Sequence, residues 1–235
     1  MPRFLHTALC LLALMLSPCF VQAGNADDVT AVAAKVQAAY ADMQSFRAAF
    51  TQELLQRDSG VVQKRSGTIA FQRPLLVRWE TAAPNAELLM VTSREIWNYL
   101  PDEELAYRYS RALAEDSRSL IQVITGQSAL TRDFDVEPAQ EPQNLEAGSL
   151  IHLLLYPKEP TTELTEAQLW IDPSTSLIRR AMVMDFYGNT NTVELKNLEK
   201  NASIPASEFS FTPPKGTDVE DHVEGAHPVQ RALKN

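Results

Sequence analysis

Cysteine is almost absent from this chain of 235 residues: only Cys10 and Cys19 carry a thiol, and both sit in the N-terminal apolar stretch. The chain beyond that stretch needs no disulfide framework. Positive charge is also short, with 21 Lys and Arg against 30 Asp and Glu. An acidic surface of that balance repels nucleic acid and anionic headgroups. Catalytic signatures are missing as well: there is no Gly-x-Ser-x-Gly, no phosphate-cradling glycine loop and no His-Glu-x-x-His. The apolar run at residues 8–16 is too short to span a bilayer.

The N-terminus itself reads as an export signal. Arg3, the apolar run and the small-residue site Val21-Gln22-Ala23 predict a secretory signal peptide over residues 1–23. Cys19 invites a lipidation reading, which Pro18 opposes because lipidation signals want a small residue there. Without residues 1–23 the chain has 20 basic residues against 30 acidic ones, a net charge of −10. A soluble exported protein that stays off membrane surfaces fits that balance. With 45% hydrophobic residues the remainder can bury one substantial core, so residues 24–219 are expected to form one domain and 220–235 a polar tail.

The rest of the chain is organised around residues 67–80. Along an extended strand Ile69, Phe71, Arg73, Leu75, Val77 and Trp79 share one face, apolar apart from one arginine. The opposite face is mostly polar, the pattern of a sheet covered on one side only. Pro74 cannot donate to a ladder, so the run should break there into two strands. Arg73 then sits at the break, and a guanidinium aimed at an apolar layer must find acceptors elsewhere.

In chain order, Asn25, Asp27 and Asp28 offer capping oxygens to an amphipathic helix that carries Val29, Val32, Ala33, Val36, Tyr40 and Met43. From Phe46 the period becomes two, and a turn at 57–60 leads into the organising stretch. Strands come next at 88–91 and 95–100, with a short one at Tyr107 and Tyr109. Asp116 or Ser117 then caps a short helix bearing Leu120, Ile121, Val123 and Ile124, stopped by Gly126. That helix is apolar on most of its surface, so it must lie over the apolar face of the sheet. Residues 138–148 read as a loop, and strands resume at 150–156, 166–172, 178–187 and 190–199. The expectation is a mainly β chain: one large, strongly curled antiparallel sheet, an incomplete barrel of about eleven strands in meander order, with a few α-helices covering its concave apolar face.

Such a face could bind a ligand or be an ordinary core sealed by helices, and the same residues serve either. His222 and His227 beside Asp218, Glu220 and Asp221 could gather a metal, although a solvated acidic tail explains them equally simply. His152 stands alone in a strand, and Asn201-Ala202-Ser203 matches a short glycosylation acceptor. No cofactor is expected.

Four segments together carry a family resemblance. Phe46-Arg-Ala-Ala-Phe-Thr-Gln, Gly67 with Phe71-Gln-Arg-Pro-Leu-Leu-Val-Arg-Trp79, Ile96-Trp97-Asn-Tyr99 before Pro101, and Phe209-Ser-Phe-Thr-Pro-Pro-Lys-Gly216 resemble the periplasmic outer-membrane lipoprotein carrier family, LolA. The resemblance implies an incomplete β-barrel closed by helices and a periplasmic location. It implies a non-enzymatic role: receiving acylated lipoproteins from an inner-membrane ABC transporter complex, shielding their acyl chains, and handing them to an outer-membrane acceptor, as a monomer. It assigns Arg73 to hydrogen bonds with backbone carbonyls of the lid helices, and Phe50, Ile69, Phe71 and Trp79 to the acyl-chain cavity. Val77, where the family often has an aromatic residue, joins that set with Tyr40, Leu120, Ile121 and Ile124. A protein of the same fold that binds or senses another amphiphile remains the alternative. A lipid hydrolase would need a nucleophile and base that the sequence does not display.

Overall fold

The structure, a computed structural model, describes residues 26–115, 119–139 and 150–222. The expected signal peptide with Cys10 and Cys19, the cap at Asp116 or Ser117, most of the 138–148 loop, His227 and the side chains of Asn25, Asp27 and Asp28 lie outside the described residues.

Helix α1 (Ala26–Ala41) precedes six strands: β1 (Ser45–Gln56), β2 (Val61–Gln72), β3 (Leu76–Thr81), β4 (Glu87–Val91), β5 (Glu95–Leu100) and β6 (Leu105–Ser110). Two short helices, α2 (Leu120–Ile124) and α3 (Leu130–Asp133), lead into β7 (Phe134–Pro138), β8 (Ile151–Pro157), β9 (Glu166–Ile171), β10 (Ile178–Met184) and β11 (Thr190–Lys200), and β12 (Asp218–His222) comes last. The strands form one 12-stranded sheet in the order β12-β6-β5-β4-β3-β2-β1-β11-β10-β9-β8-β7. It is unclosed, with β12 and β7 as its edges. Two meanders, β1 to β6 and β7 to β11, are fused where β1 pairs with β11.

The expected break at Pro74 separates β2 from β3, whose register sets Phe71 opposite Val77 and Ile69 opposite Trp79. Alternation in β1 buries Phe46, Ala48, Phe50 and Leu54 on the concave side. Helical spacing in α1 buries Val29, Ala33, Val36 and Tyr40 against the same core, as do Leu120, Ile121, Val123 and Ile124 of α2 and Leu130 of α3. The helices thus cover the concave face.

The sheet departs from expectation at its two edges. The count is twelve rather than about eleven, and β7, with Asp135, Glu137 and Pro138, is poor in strand-forming residues. Strand β12 runs through His222, so the expected boundary at Val219 falls inside it. It pairs with β6 in parallel, which makes the sheet antiparallel everywhere except at that edge. Asp221 pairs there with Arg108, and the backbone N–H of Asp218 donates to the Glu104 carbonyl at 2.8 Å. The segment before β12 lies on the outer face, where Phe211 packs against Trp97 and Tyr99 at ring distances of 5.6 and 5.5 Å.

Candidate functional site

The concave face is built in rows set by strand register. Phe46, Phe71, Val77 and Val91 form one row across β1 to β4, and Ala48, Ile69, Trp79 and Leu89 form the next. Beyond them comes Phe50, opposite Gly67. The Phe46 and Phe71 rings lie 5.4 Å apart, and those of Phe50 and Trp79 4.6 Å. Gly67 makes this last contact possible. A Cβ on it would stand 2.9 Å from Phe50 Cε1 and 1.9 Å from the Glu80 carbonyl oxygen, so only glycine lets the Phe50 ring lie across the strand.

The helices close over these rows. Ser119, and not the expected Asp116 or Ser117, caps α2 by accepting from the Gln122 N–H, and buried Gln122 donates its side-chain amide to the Ala114 carbonyl at 2.7 Å. Gly126 ends α2 with φ at +65°, the left-handed conformation anticipated for a helix stop. Phe50, Ile69, Phe71, Val77, Trp79, Tyr40, Leu120, Ile121 and Ile124 are all buried and belong to one hydrophobic cluster.

Arg73 finds its acceptors at the end of α1. Its Nε donates to the Met43 carbonyl and its Nη2 to the Tyr40 carbonyl, both at 2.8 Å, while its backbone N–H donates to the Gln44 carbonyl at 2.8 Å. These carbonyls lie at and just past the helix C-terminus, where backbone acceptors are unpaired and a cation is favoured. Among the described residues the guanidinium bonds reach the last turn of α1 and the residues just after it, where the resemblance implied carbonyls of the lid helices together. Tyr40 is held a second time, its phenolic oxygen accepting from the Ile178 N–H at 3.2 Å. Burial pushes its phenol well above the ordinary tyrosine range, so it stays neutral.

Other polar groups of the concave side gave no motif in the sequence. Arg111 donates to the carbonyls of Thr92 and, at 3.2 Å, Leu75, which pins the turn between β2 and β3. Arg65, Gln63 and Gln52 also point inward, a placement that their parity with Ile69 and Phe50 could have signalled. His152 lies on the outer face, stacked on Trp170 at 4.2 Å with its ring hydrogen-bonded to Gln168, away from the concave rows. His222 packs on Tyr107 and Tyr109, and among the described residues no three His, Cys, Asp or Glu gather to hold a metal. Chemically, the arrangement is an apolar face covered by helices and tied to the end of one of them by a guanidinium.

Residues 41–212 match the family model described as outer membrane lipoprotein carrier protein LolA. The chain is similar to the outer-membrane lipoprotein carrier protein of Bordetella avium, 30% identical over 222 residues that cover 93% of this chain and 99% of that protein. Among solved structures it resembles an uncharacterized conserved protein from Thermus thermophilus, with a TM-score of 0.53, 13% identity, and 83% and 99% of the two chains covered. It also resembles the lipoprotein LppX of Mycobacterium tuberculosis, with a TM-score of 0.51, 12% identity, and 77% and 100% covered. At those identities the two structures speak for the shared fold alone.

Proposed function

The chain belongs to the outer membrane lipoprotein carrier family LolA, and from that premise we propose that it is a soluble periplasmic chaperone for acylated lipoproteins. It receives them from an inner-membrane ABC transporter complex, shields their acyl chains in the concave face, and delivers them to an outer-membrane acceptor. The observation that carries this reading is the Arg73 latch: a guanidinium beside an apolar, helix-covered face that holds one covering helix by two hydrogen bonds. It acts as a monomer, and its acidic surface speaks against nucleic-acid partners.

The energetics make the latch useful. Burying acyl chain is worth about 0.8 kcal/mol per CH₂, so a sixteen-carbon chain contributes on the order of 12 kcal/mol. Binding of that strength alone releases too slowly for a shuttle. Cargo that enters between α1 and the sheet must break the Arg73 bonds, at about 1.5 to 3 kcal/mol each, and their return favours release. No step calls on a nucleophile or base.

The test is native mass spectrometry of the mature protein after incubation with membranes that hold an acylated lipoprotein and the transporter. A one-to-one complex with intact lipoprotein is expected. Capture of free lipid alone favours a lipid-binding relative of the same fold, and capture of neither refutes the carrier reading.

A further inference from the structure

The concave face is not apolar along its whole length. Two residues beyond Phe50 in β1 comes Gln52, opposite Arg65 of β2, and the next row sets Leu54 between Gln63 and Asn191. These polar side chains are held in two groups of hydrogen bonds. Gln52 Nε2 donates to Asn191 Oδ1 at 2.9 Å, Gln63 Nε2 to Asn85 Oδ1 at 2.9 Å, and Arg65 Nη2 to Gln63 Oε1 at 2.9 Å. Arg65 Nη1 bonds Glu87 Oε2 at 2.8 Å. The Arg65 side chain is only 10% exposed, yet its Nε is buried with no hydrogen-bond partner among the described residues.

A buried guanidinium N–H without an acceptor is a standing cost unless something supplies one. The chemistry narrows what that is. Glu87 already neutralises the charge, so a second anion gains little. A hydrocarbon leaves the N–H unsatisfied. A neutral carbonyl oxygen fits. Position narrows it further, because Arg65 lies directly beyond the Phe50 and Trp79 pair, next to Glu87 and Leu89 of β4, which are less deeply buried than the apolar rows. From Phe71, beside the Arg73 latch, to Arg65 is six residues of strand, about 20 Å. One leaflet of a bilayer holds an acyl chain in about 15 Å. The apolar rows thus have the length of a chain, with a polar group at the far end from the latch.

We propose that Arg65 anchors the ester- or amide-bearing root of an acylated ligand, its Nε donating to a carbonyl from which the hydrocarbon chain runs back toward Phe71. This rests on the carrier reading. Arg65→Lys keeps the charge beside Glu87 but removes the Nε donor; Arg65→Gln removes both. The probes are a synthetic triacylated cysteinyl peptide, which carries the carbonyls, and diphenylhexatriene, which carries none, each titrated by fluorescence with thermal melting as the control for folding. Both variants are expected to bind the lipopeptide about tenfold or more weakly than wild type, the size of one lost charge-assisted hydrogen bond, with diphenylhexatriene unchanged. Lipopeptide binding by Arg65→Lys equal to wild type overturns the anchor and leaves the carrier standing. An equal loss of both probes overturns it as well, because it marks a structural role. Wild type that takes up neither probe removes the carrier reading and the anchor with it. Should Arg65→Gln fail to fold, Arg65→Lys decides alone.

Discussion

The Tyr40 ring occupies the space that any side chain on Gly126 would need: a Cβ built there would stand 2.1 Å from Tyr40 Cγ. The end of α1 is thereby seated in the turn that closes α2. The same tyrosine accepts the Arg73 guanidinium at its carbonyl and the Ile178 N–H at its hydroxyl. One residue of α1 thus joins α2, the β2–β3 turn and the start of β10, so moving α1 off the sheet breaks all three contacts together.

Gly126→Ala tests the seat. The substitution forces a non-glycine residue into the left-handed region, at about 1 to 2 kcal/mol, and overpacks the Tyr40 ring, at about 1 to 3 kcal/mol. The melting temperature should fall by roughly 5 to 15 °C by circular dichroism. Tyr40→Phe keeps the ring and strands only the Ile178 N–H, so it should cost less, about 1 to 3 kcal/mol.

Arg73→Leu tests the latch. With both guanidinium bonds gone, re-closure no longer opposes the bound chain, so the variant should load lipoprotein normally but hand it on about tenfold or more slowly. A reconstituted transfer assay reads this directly. Transfer at the wild-type rate removes the role assigned to Arg73.

Phe211→Ala separates the two faces. It strips the aromatic cover from Trp97 and Tyr99 on the outer side and should destabilise the fold by about 1 to 3 kcal/mol in chemical denaturation. Lipopeptide affinity should stay unchanged, because no concave side chain is touched.

His152 gives a pH dependence. Burial lowers its pKa below the ordinary value, Arg180 adds to the effect, and the Gln168 bond and Glu166 act against it. A histidine depressed in the fold contributes stability that is present in full above the unfolded value of about 6.5 and is lost as pH falls through the folded value. His152→Phe, which keeps a ring on Trp170, should therefore lose less melting temperature than wild type between about pH 7.5 and pH 5.

Much of this was legible in the sequence where side-chain period and backbone chemistry agree. Alternation around Pro74 gave the β2–β3 hairpin and its buried face, helical spacing gave Tyr40 its inward position, and the lone arginine on that face announced that it needed acceptors. Which carbonyls it reaches was not legible, because Tyr40 and Met43 are about 30 residues away in sequence and meet it only after the sheet curls. The same holds for Gly126, readable as a helix stop but not as the seat of a ring. Strand β12 was hidden because Asp218-Val-Glu-Asp-His222 is charged and depends on pairing with β6, more than a hundred residues earlier. Arg65 had a visible cue, its parity with Ile69, but nothing local revealed that Glu87 and Gln63 hold it in place.

The most direct measurement is site-specific photocrosslinking with benzoylphenylalanine placed at Trp79 or Ile121 on the concave side and at Tyr99 on the outer side, in the presence of lipoprotein with radiolabelled acyl chains. A carrier that shelters the chains beneath α1 and α2 yields labelled adducts from Trp79 and Ile121 and none from Tyr99. Labelled adducts from Tyr99 alone, or from no position while lipoprotein is bound, would contradict it.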